Sequence, residues 1–190
     1  MGIRIIVDST ADLTPQVRQR VAVVPLTIHF GEEEYVDGVN ITGPEFYEKL
    51  VTSKVLPSTS QATPFAFSAA FGQAVADGDE VVAIIASSKL SGTYQSAVIA
   101  AQDYPGKVHV VDSLNIALGS AVLTEYALRL VDEGRSAQEI AFLLEAAREA
   151  VVNRNHRQKQ RQVPAKCGYL LNFHRIGKYF CKNIEIRLDN

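Results

Sequence analysis

The fold is decided by the stretch VVAIIASSKLSGTYQSA, residues 81–97. Its first six residues are apolar and rich in β-branched side chains, which is typical of a strand buried on both faces of a sheet. The residues from Thr93 onward have helical composition. Residues 87–92 therefore form a turn at the carboxyl end of a central strand. Ligands bind at such turns in open α/β sheets.

The chemistry of this turn is compatible with two roles. It offers the hydroxyls of Ser87, Ser88, Ser91 and Thr93, and Gly92 lets a ligand approach the backbone closely. A serine before a helix is commonly only a cap that satisfies backbone amides. Free N–H groups at the start of a helix also attract anions, and four hydroxyls in seven residues are more than a cap needs. Both roles remain open.

Outward from this turn, strand and helix patterns alternate along the chain. Strands are predicted at 3–7, 21–24, 81–86 and 108–111, with a hairpin at 26–36. Helices are predicted near 42–51, 65–76, 93–102, 116–131 and 136–151, and a short one is predicted around Pro15 with Asp12 or Thr14 as its cap. The T-x-x-E pattern of Thr42 and Glu45 and the S-x-x-E pattern of Ser136 and Glu139 predict capping boxes at two of these helix starts. This order predicts an α/β fold with a mostly parallel sheet and helices on both faces.

Polar residues follow three of the predicted parallel strands. They are 8–10 after the first strand, 87–91 after the strand at 81–86, and 112–113 after the next strand. Carboxyl ends of parallel strands share one sheet edge, and the hydroxyl-rich loop 57–63 can reach that edge. The only cation in these turns is Lys89. A cradle of hydroxyls and amides with so little positive charge favours a carboxylate ligand over a polyphosphate.

Composition and motifs narrow the class of protein further. At 190 residues with 47% hydrophobic and 21% charged residues, the chain is predicted to be a globular, cytoplasmic protein without a membrane span. Cys167 and Cys181 are not in a CxxC pair, and no His or Cys spacing predicts a metal site. Phosphate-binding glycine motifs and the nucleophile elbow are missing from the sequence, so no catalytic residue is assigned.

Four motifs occur in order: DSTADL at 8–13, STSQATP at 58–64, SKLSGTYQSA at 88–97 and VDS at 111–113. With these motifs, residues 1–150 resemble the DegV family of bacterial fatty-acid-binding proteins. The resemblance implies one bound fatty acid, with its carboxylate on hydroxyls and its acyl chain in an apolar tunnel. It also implies a possible partner, because some members are the acyl-carrying subunit of a fatty acid kinase. A separate ATP-binding subunit then phosphorylates the carboxyl group for phospholipid synthesis.

The resemblance also assigns residues by motif position. Thr59 and Ser91 match the carboxylate ligands of the family. The supporting residues around them are Ser9, Ser60, Gly92, Thr93, Asp112 and Ser113. On this basis the chain is a binding subunit and not an enzyme, and it needs neither a metal nor a cofactor besides the fatty acid itself.

The composition changes near residue 150. Nine of the 19 Lys and Arg but only two of the 21 Asp and Glu lie in residues 151–190. We therefore expect a DegV-like lipid-binding domain at 1–152 and an atypical basic tail at 153–190, where family members continue into a second α/β domain. The tail is either an out-of-frame product, which would impair binding, or a segment that binds nucleic acid or an anionic surface. We favour the former, so a nucleic-acid partner is not expected.

Overall fold

The computed structural model describes residues 2–151. A four-stranded parallel sheet forms the centre of this fold. Its strands are β1 (Ile3–Asp8), β2 (Ala22–Val24), β6 (Glu80–Ile85) and β7 (Val108–Asp112). They lie side by side in the order β2-β1-β6-β7. The predicted parallel α/β architecture is confirmed.

Strand β6 is buried along nearly its whole length, as its apolar sequence predicts. Val82 and Ile84 pack on one face of the sheet, where helices α5 (Leu118–Asp132) and α6 (Ala137–Ala147) lie. Val81, Ala83 and Ile85 pack on the other face against α3 (Pro64–Ala76) and α4 (Thr93–Ala101). Helices therefore cover both faces, because alternate residues of a strand point to opposite sides.

A second sheet of three antiparallel strands stands beside the first, in the order β4-β3-β5. Strands β3 (Thr27–Phe30) and β4 (Glu33–Val36) form the predicted hairpin around Gly31, whose φ is +66°. The prediction of a loop at 58–60 is wrong, because Ser58–Ser60 form strand β5 and pair with 27–29. Three hydroxyl residues carry no apolar alternation, so this strand forms through pairing with a distant partner.

Helix α2 (Gly43–Thr52) covers one face of the second sheet. The capping box predicted for Thr42 and Glu45 is present, with both reciprocal hydrogen bonds formed. Phe46 is buried and packs with Ile28 and Phe30 in a small separate core. The short helix α1 (Pro15–Arg18) is capped by Thr14, one of the two predicted caps.

Helices α5 and α6 are shorter than predicted. Helix α5 begins at Leu118 because residues 114–117 form hydrogen bonds with the segments that follow other strands. The backbone φ is positive within this segment, at +52° for Leu114 and +50° for Ala117. In this segment the Asn115 carbonyl accepts a bond from the Ser87 amide, and the Ala117 amide donates to Thr10. Helix α6 ends at Ala147 instead of near residue 151.

The remaining expectations about the tail fall outside residues 2–151. The domain division at 152, the basic segment 153–190 and its proposed origins all concern residues beyond the described part. Within the described part, no helix is both long and apolar enough to cross a membrane.

Candidate functional site

The turns after β1, β6 and β7 meet at the carboxyl edge of the parallel sheet, as predicted. The buried Asp8 carboxylate accepts hydrogen bonds from the amides of Thr10 (2.9 Å) and Ala86 (2.6 Å). Asp112 accepts from the amides of Ser88 (3.1 Å) and Leu114 (3.0 Å). Both carboxylates thus tie neighbouring turns together, which is a common use of Asp at strand ends.

Burial changes the acidity of two groups near this edge. Desolvation raises the pKa of Asp8, while the nearby Thr10 side chain and the bonded backbone amides of Ala86 and Thr10 oppose the rise. Desolvation also raises the pKa of the Tyr94 phenol, and the negative charge of Asp112 adds to this rise. Burial at this edge therefore favours the neutral form of both groups.

Of the two roles left open by the sequence, the structure shows the capping role for Ser91. Its half-buried hydroxyl lies 2.9 Å from the Thr93 hydroxyl and accepts a bond from the Thr93 amide at 3.2 Å. The N-cap position of α4 is Gly92, which makes no side-chain hydrogen bond. Ser91 therefore satisfies the first amide of the helix one residue earlier than a normal cap. Thr93 is fully buried, so its hydroxyl contacts the Ser91 hydroxyl from the interior of the protein.

Thr59 is placed at the middle of β5, directly opposite Ile28 of β3. It is exposed and lines a cleft. Ser60 points to the opposite face of this sheet, where its hydroxyl lies 2.7 Å from Nε2 of His29. Two residues adjacent in the motif therefore face different surroundings, and only Thr59 faces the cleft.

Two other predicted supporting residues hold the backbone. The Ser9 hydroxyl accepts the Leu26 amide at 3.0 Å, which fixes the chain between β2 and β3, and Ser9 also lines the cleft. The fully buried Ser113 hydroxyl donates to the Asn115 carbonyl at 2.9 Å within its own turn. Ser113 and Asp112 therefore shape the sheet edge and do not line the cleft.

The cleft lies between the turn after β1 and the second sheet with helix α2, and its volume is about 370 Å³. This falls within the range of about 300–1,000 Å³ that is typical of small-molecule sites. Its apolar lining comes from Leu13, Leu26, Ile28 and Phe46, and its hydroxyls from Ser9, Thr10, Thr42 and Thr59. Ser91 and Gly92 are not among its lining residues.

Two residues near the site were not assigned from the sequence. Gln61 donates from Nε2 to the Ser96 hydroxyl at 3.1 Å, and its carboxamide occupies the place where a Gly92 side chain would stand. Gly92 thus makes room for Gln61, whereas the sequence predicted room for a ligand. Arg18 also lines the cleft. The STSQATP motif pointed to Gln61, but an exposed arginine in a short helix carried no signal.

Residues 2–151 include His, Asp and Glu side chains of the kind that bind metal ions. Within that range, no cluster of three His, Cys, Asp or Glu side chains is arranged to hold an ion. His29 contacts Ser60 and lies 3.4 Å from the Glu34 carboxylate. Glu34 is directly opposite His29 in the second sheet, and Ser60 is its diagonal neighbour on the other side, so these are ordinary cross-strand contacts.

A parallel sheet covered on both faces by helices, with a cleft beside the turn after its first strand, defines the chain as an α/β protein. The chain belongs to the DegV family, since the model for an uncharacterised protein of the DegV family matches residues 2–152. A DegV domain-containing protein from Deinococcus radiodurans is 40% identical over 147 residues. This match covers 76% of the chain and 52% of the relative, so the chain spans about half the length of that protein.

Solved structures share the fold. A fatty-acid-binding DegV family protein from Thermus thermophilus superposes with a TM-score of 0.72 at 32% identity, covering 92% of this chain and 65% of that one. The fatty acid kinase (Fak) B3 protein of Streptococcus pneumoniae, loaded with linoleic acid, superposes with a TM-score of 0.68 at 26% identity. That match covers 80% of this chain and 56% of the pneumococcal protein.

Proposed function

We propose that this chain binds a long-chain fatty acid, with the acyl chain in the cleft and the carboxylate at Thr59 and Ser91. The observation that carries the proposal is the composition of the cleft. Its lining joins apolar side chains, among them Ile28 and Phe46, to the exposed Thr59 hydroxyl. A ligand with an apolar body and an oxygen-rich head matches this division.

The two ends of such a ligand contribute differently to affinity. Each buried methylene contributes about 0.8 kcal/mol, so a long acyl chain gains on the order of 10 kcal/mol before ordering costs. A hydrogen bond to a charged group contributes about 1.5–3 kcal/mol. The apolar lining therefore sets most of the affinity, and the hydroxyls select a carboxylate over other head groups.

The biological role that fits this site is that of a binding subunit. A fatty acid kinase needs a protein that presents the carboxyl group to an ATP-binding subunit, and the pneumococcal neighbour carries the name of such a kinase. We place this chain in the same role, in the cytoplasm, with the phosphoryl transfer done by the separate kinase subunit. Thr59 and Ser91 would then bind the substrate without acting as catalytic residues.

The exposure of Thr59 affects the expected affinity of the chain, which spans about half the length of its curated relatives. The cleft is bounded by the turn after β1 and by the second sheet, with Thr59 exposed. We expect the chain to hold a fatty acid more weakly than the longer relatives do. A binding site that leaves part of the ligand in water loses the corresponding apolar contribution.

Native mass spectrometry of the purified chain tests the proposal. After removal of lipid and incubation with dodecanoate, we expect a one-to-one complex that is reduced by Ile28→Asp, which puts a charge on the apolar wall. Thr52→Val is the matched control, because the Thr52 hydroxyl bonds only within the end of helix α2, to the carbonyls of Glu48 and Lys49. A bound nucleotide, or dodecanoate binding that ignores Ile28→Asp, would refute the proposal.

A further inference from the structure

Gln61 connects the two segments that carry the proposed carboxylate ligands. It follows Thr59 by two residues, at the end of strand β5. Its Nε2 donates to the hydroxyl of Ser96, which is only 2% exposed, and its carboxamide lies against Gly92. Gly92 is the residue next to Ser91. One side chain therefore spans from the strand of Thr59 to the first turn of the helix that follows Ser91.

The contact is specific in geometry. Gly92 and Ser96 are four residues apart, and the Ser96 amide donates to the Gly92 carbonyl, so both lie on one face of the first turn of α4. A Cβ atom on Gly92 would overlap the Gln61 carboxamide. The carboxamide is thus held at one end by a hydrogen bond and at the other by a close approach that only glycine permits.

We propose that Gln61 is a positioning residue, which fixes the Thr59 hydroxyl relative to the Ser91 hydroxyl so that both act on one carboxylate. This inference rests on the proposed function. Of the strands that the structure describes, β5 pairs only with β3, so the parallel sheet does not hold it through backbone bonds. The Gln61 side chain supplies a direct link between β5 and the helix at the parallel-sheet edge.

The proposal gives Gln61 a role in selecting the head group. Displacing Thr59 relative to Ser91 weakens charge-assisted hydrogen bonds to a carboxylate, because these depend on donor placement. An alcohol of the same chain length carries no charge and depends less on two placed donors. Removing Gln61 should therefore lower affinity for the acid more than affinity for the alcohol.

The test compares dodecanoate with 1-dodecanol as probes on the full chain. We expect Gln61→Ala to weaken dodecanoate binding about tenfold and 1-dodecanol binding by less than about twofold. Gln61→Glu keeps the size of the side chain but removes the donor to Ser96 and adds a negative charge, so it should weaken the acid still further. Gln73→Ala is the matched control, since the Gln73 side chain donates to Asp77 at an exposed helix end.

A double-mutant cycle shows whether Gln61 acts through Ser91. We expect Gln61→Ala to have a smaller effect on dodecanoate in a Ser91→Ala background than in the wild type, because coupled residues are not additive. Equal losses for acid and alcohol, fully additive effects, or an effect matched by Gln73→Ala would overturn the positioning role alone. A wild-type chain that binds neither probe would overturn the proposed function, and the role of Gln61 with it.

Discussion

The parallel sheet presents to the site a set of turns bonded to one another, whereas the antiparallel sheet presents an exposed threonine on an edge strand. Asp8 and Asp112 each accept two backbone amides from separate parts of the chain. Strand β5 has only three residues, all exposed, and pairs with β3. The first region is joined by hydrogen bonds between its turns, and the second leaves its hydroxyl residues exposed.

The Asp8 and Asp112 carboxylates, at the ends of β1 and β7, are each occupied by two backbone amides, so they are poor candidates for ligand contacts. The polar group of Thr59 lies exposed on the cleft wall. Changes at Asp8 and Asp112 should alter the free energy of unfolding, and changes at Thr59 should alter affinity.

The largest effect should come from the bonded turns. Asp8→Ala leaves the buried amides of Thr10 and Ala86 without their acceptor, at about 1–3 kcal/mol for each unsatisfied group. We expect the free energy of unfolding to fall by about 3 kcal/mol, measured by urea denaturation. Asp103→Ala, at an exposed position, serves as the control. A loss below about 1 kcal/mol would show that Asp8 does not lock this edge.

The second largest effect should be on dodecanoate affinity and should come from the hydroxyls of Thr59 and Ser91. Thr59→Val and Ser91→Ala should each weaken dodecanoate binding about 10- to 100-fold, following from about 1.5–3 kcal/mol for a charge-assisted bond. Calorimetry measures the affinity. Thr59→Val should leave stability unchanged, while Ser91→Ala should also cost about 1 kcal/mol, since Ser91 accepts the Thr93 amide. Unchanged affinity in both variants would remove these residues from the site.

A smaller effect is the contribution of Asp8 to the pH dependence of the free energy of unfolding. The pKa of Asp8 is raised in the folded chain by burial, so the folded state holds its proton to higher pH than the unfolded state does. Wild-type stability relative to Asp8→Asn should therefore be greatest below pH 4 and fall as pH rises through the folded pKa of Asp8. The slope is at most about 1.4 kcal/mol per pH unit.

Surface carboxylates with lowered pKa, such as Glu33 and Asp132, act in the opposite direction but are common to both proteins and cancel. Urea denaturation of wild type and Asp8→Asn between pH 3 and pH 8 measures the difference. A difference that grows with pH in favour of the wild type would contradict the assigned cause.

The smallest effect should come from the cap of helix α2, which forms one side of the cleft. The Thr42 hydroxyl accepts the Glu45 amide, and the Glu45 carboxylate accepts the Thr42 amide at 2.7 Å. Thr42→Ala should lower the free energy of unfolding by about 1 kcal/mol and weaken dodecanoate binding only slightly. Ser136→Ala removes the equivalent cap of α6, far from the cleft lining, and should cost similar stability with no change in affinity.

Local patterns allowed much of the fold to be predicted. The apolar run at 81–86 predicted a central buried strand, and the T-x-x-E and S-x-x-E patterns predicted the caps of α2 and α6, because such signals act within a few residues. The predicted start of α5 was wrong, because residues 114–117 form hydrogen bonds with the turns that follow other strands.

Local sequence patterns predicted only part of the candidate site. The motifs pointed to Thr59 and Ser91, whose role as ligands stays a prediction. Strand alternation could have placed Thr59 and Ser60 on opposite faces, but only if β5 had been recognised as a strand. No local pattern indicated that Gln61 would fill the space at Gly92.

The sequence by itself thus determined the buried strands, the helix starts and the sheet edge at which polar residues collect, because periodicity and capping depend on nearby residues. Tertiary structure decided that Ser58–Ser60 pair with 27–29 and that Gln61 reaches Gly92 and Ser96. These contacts join residues about 30 positions apart. Their energies come from pairing and close packing in the folded chain, and no neighbouring residue encodes them.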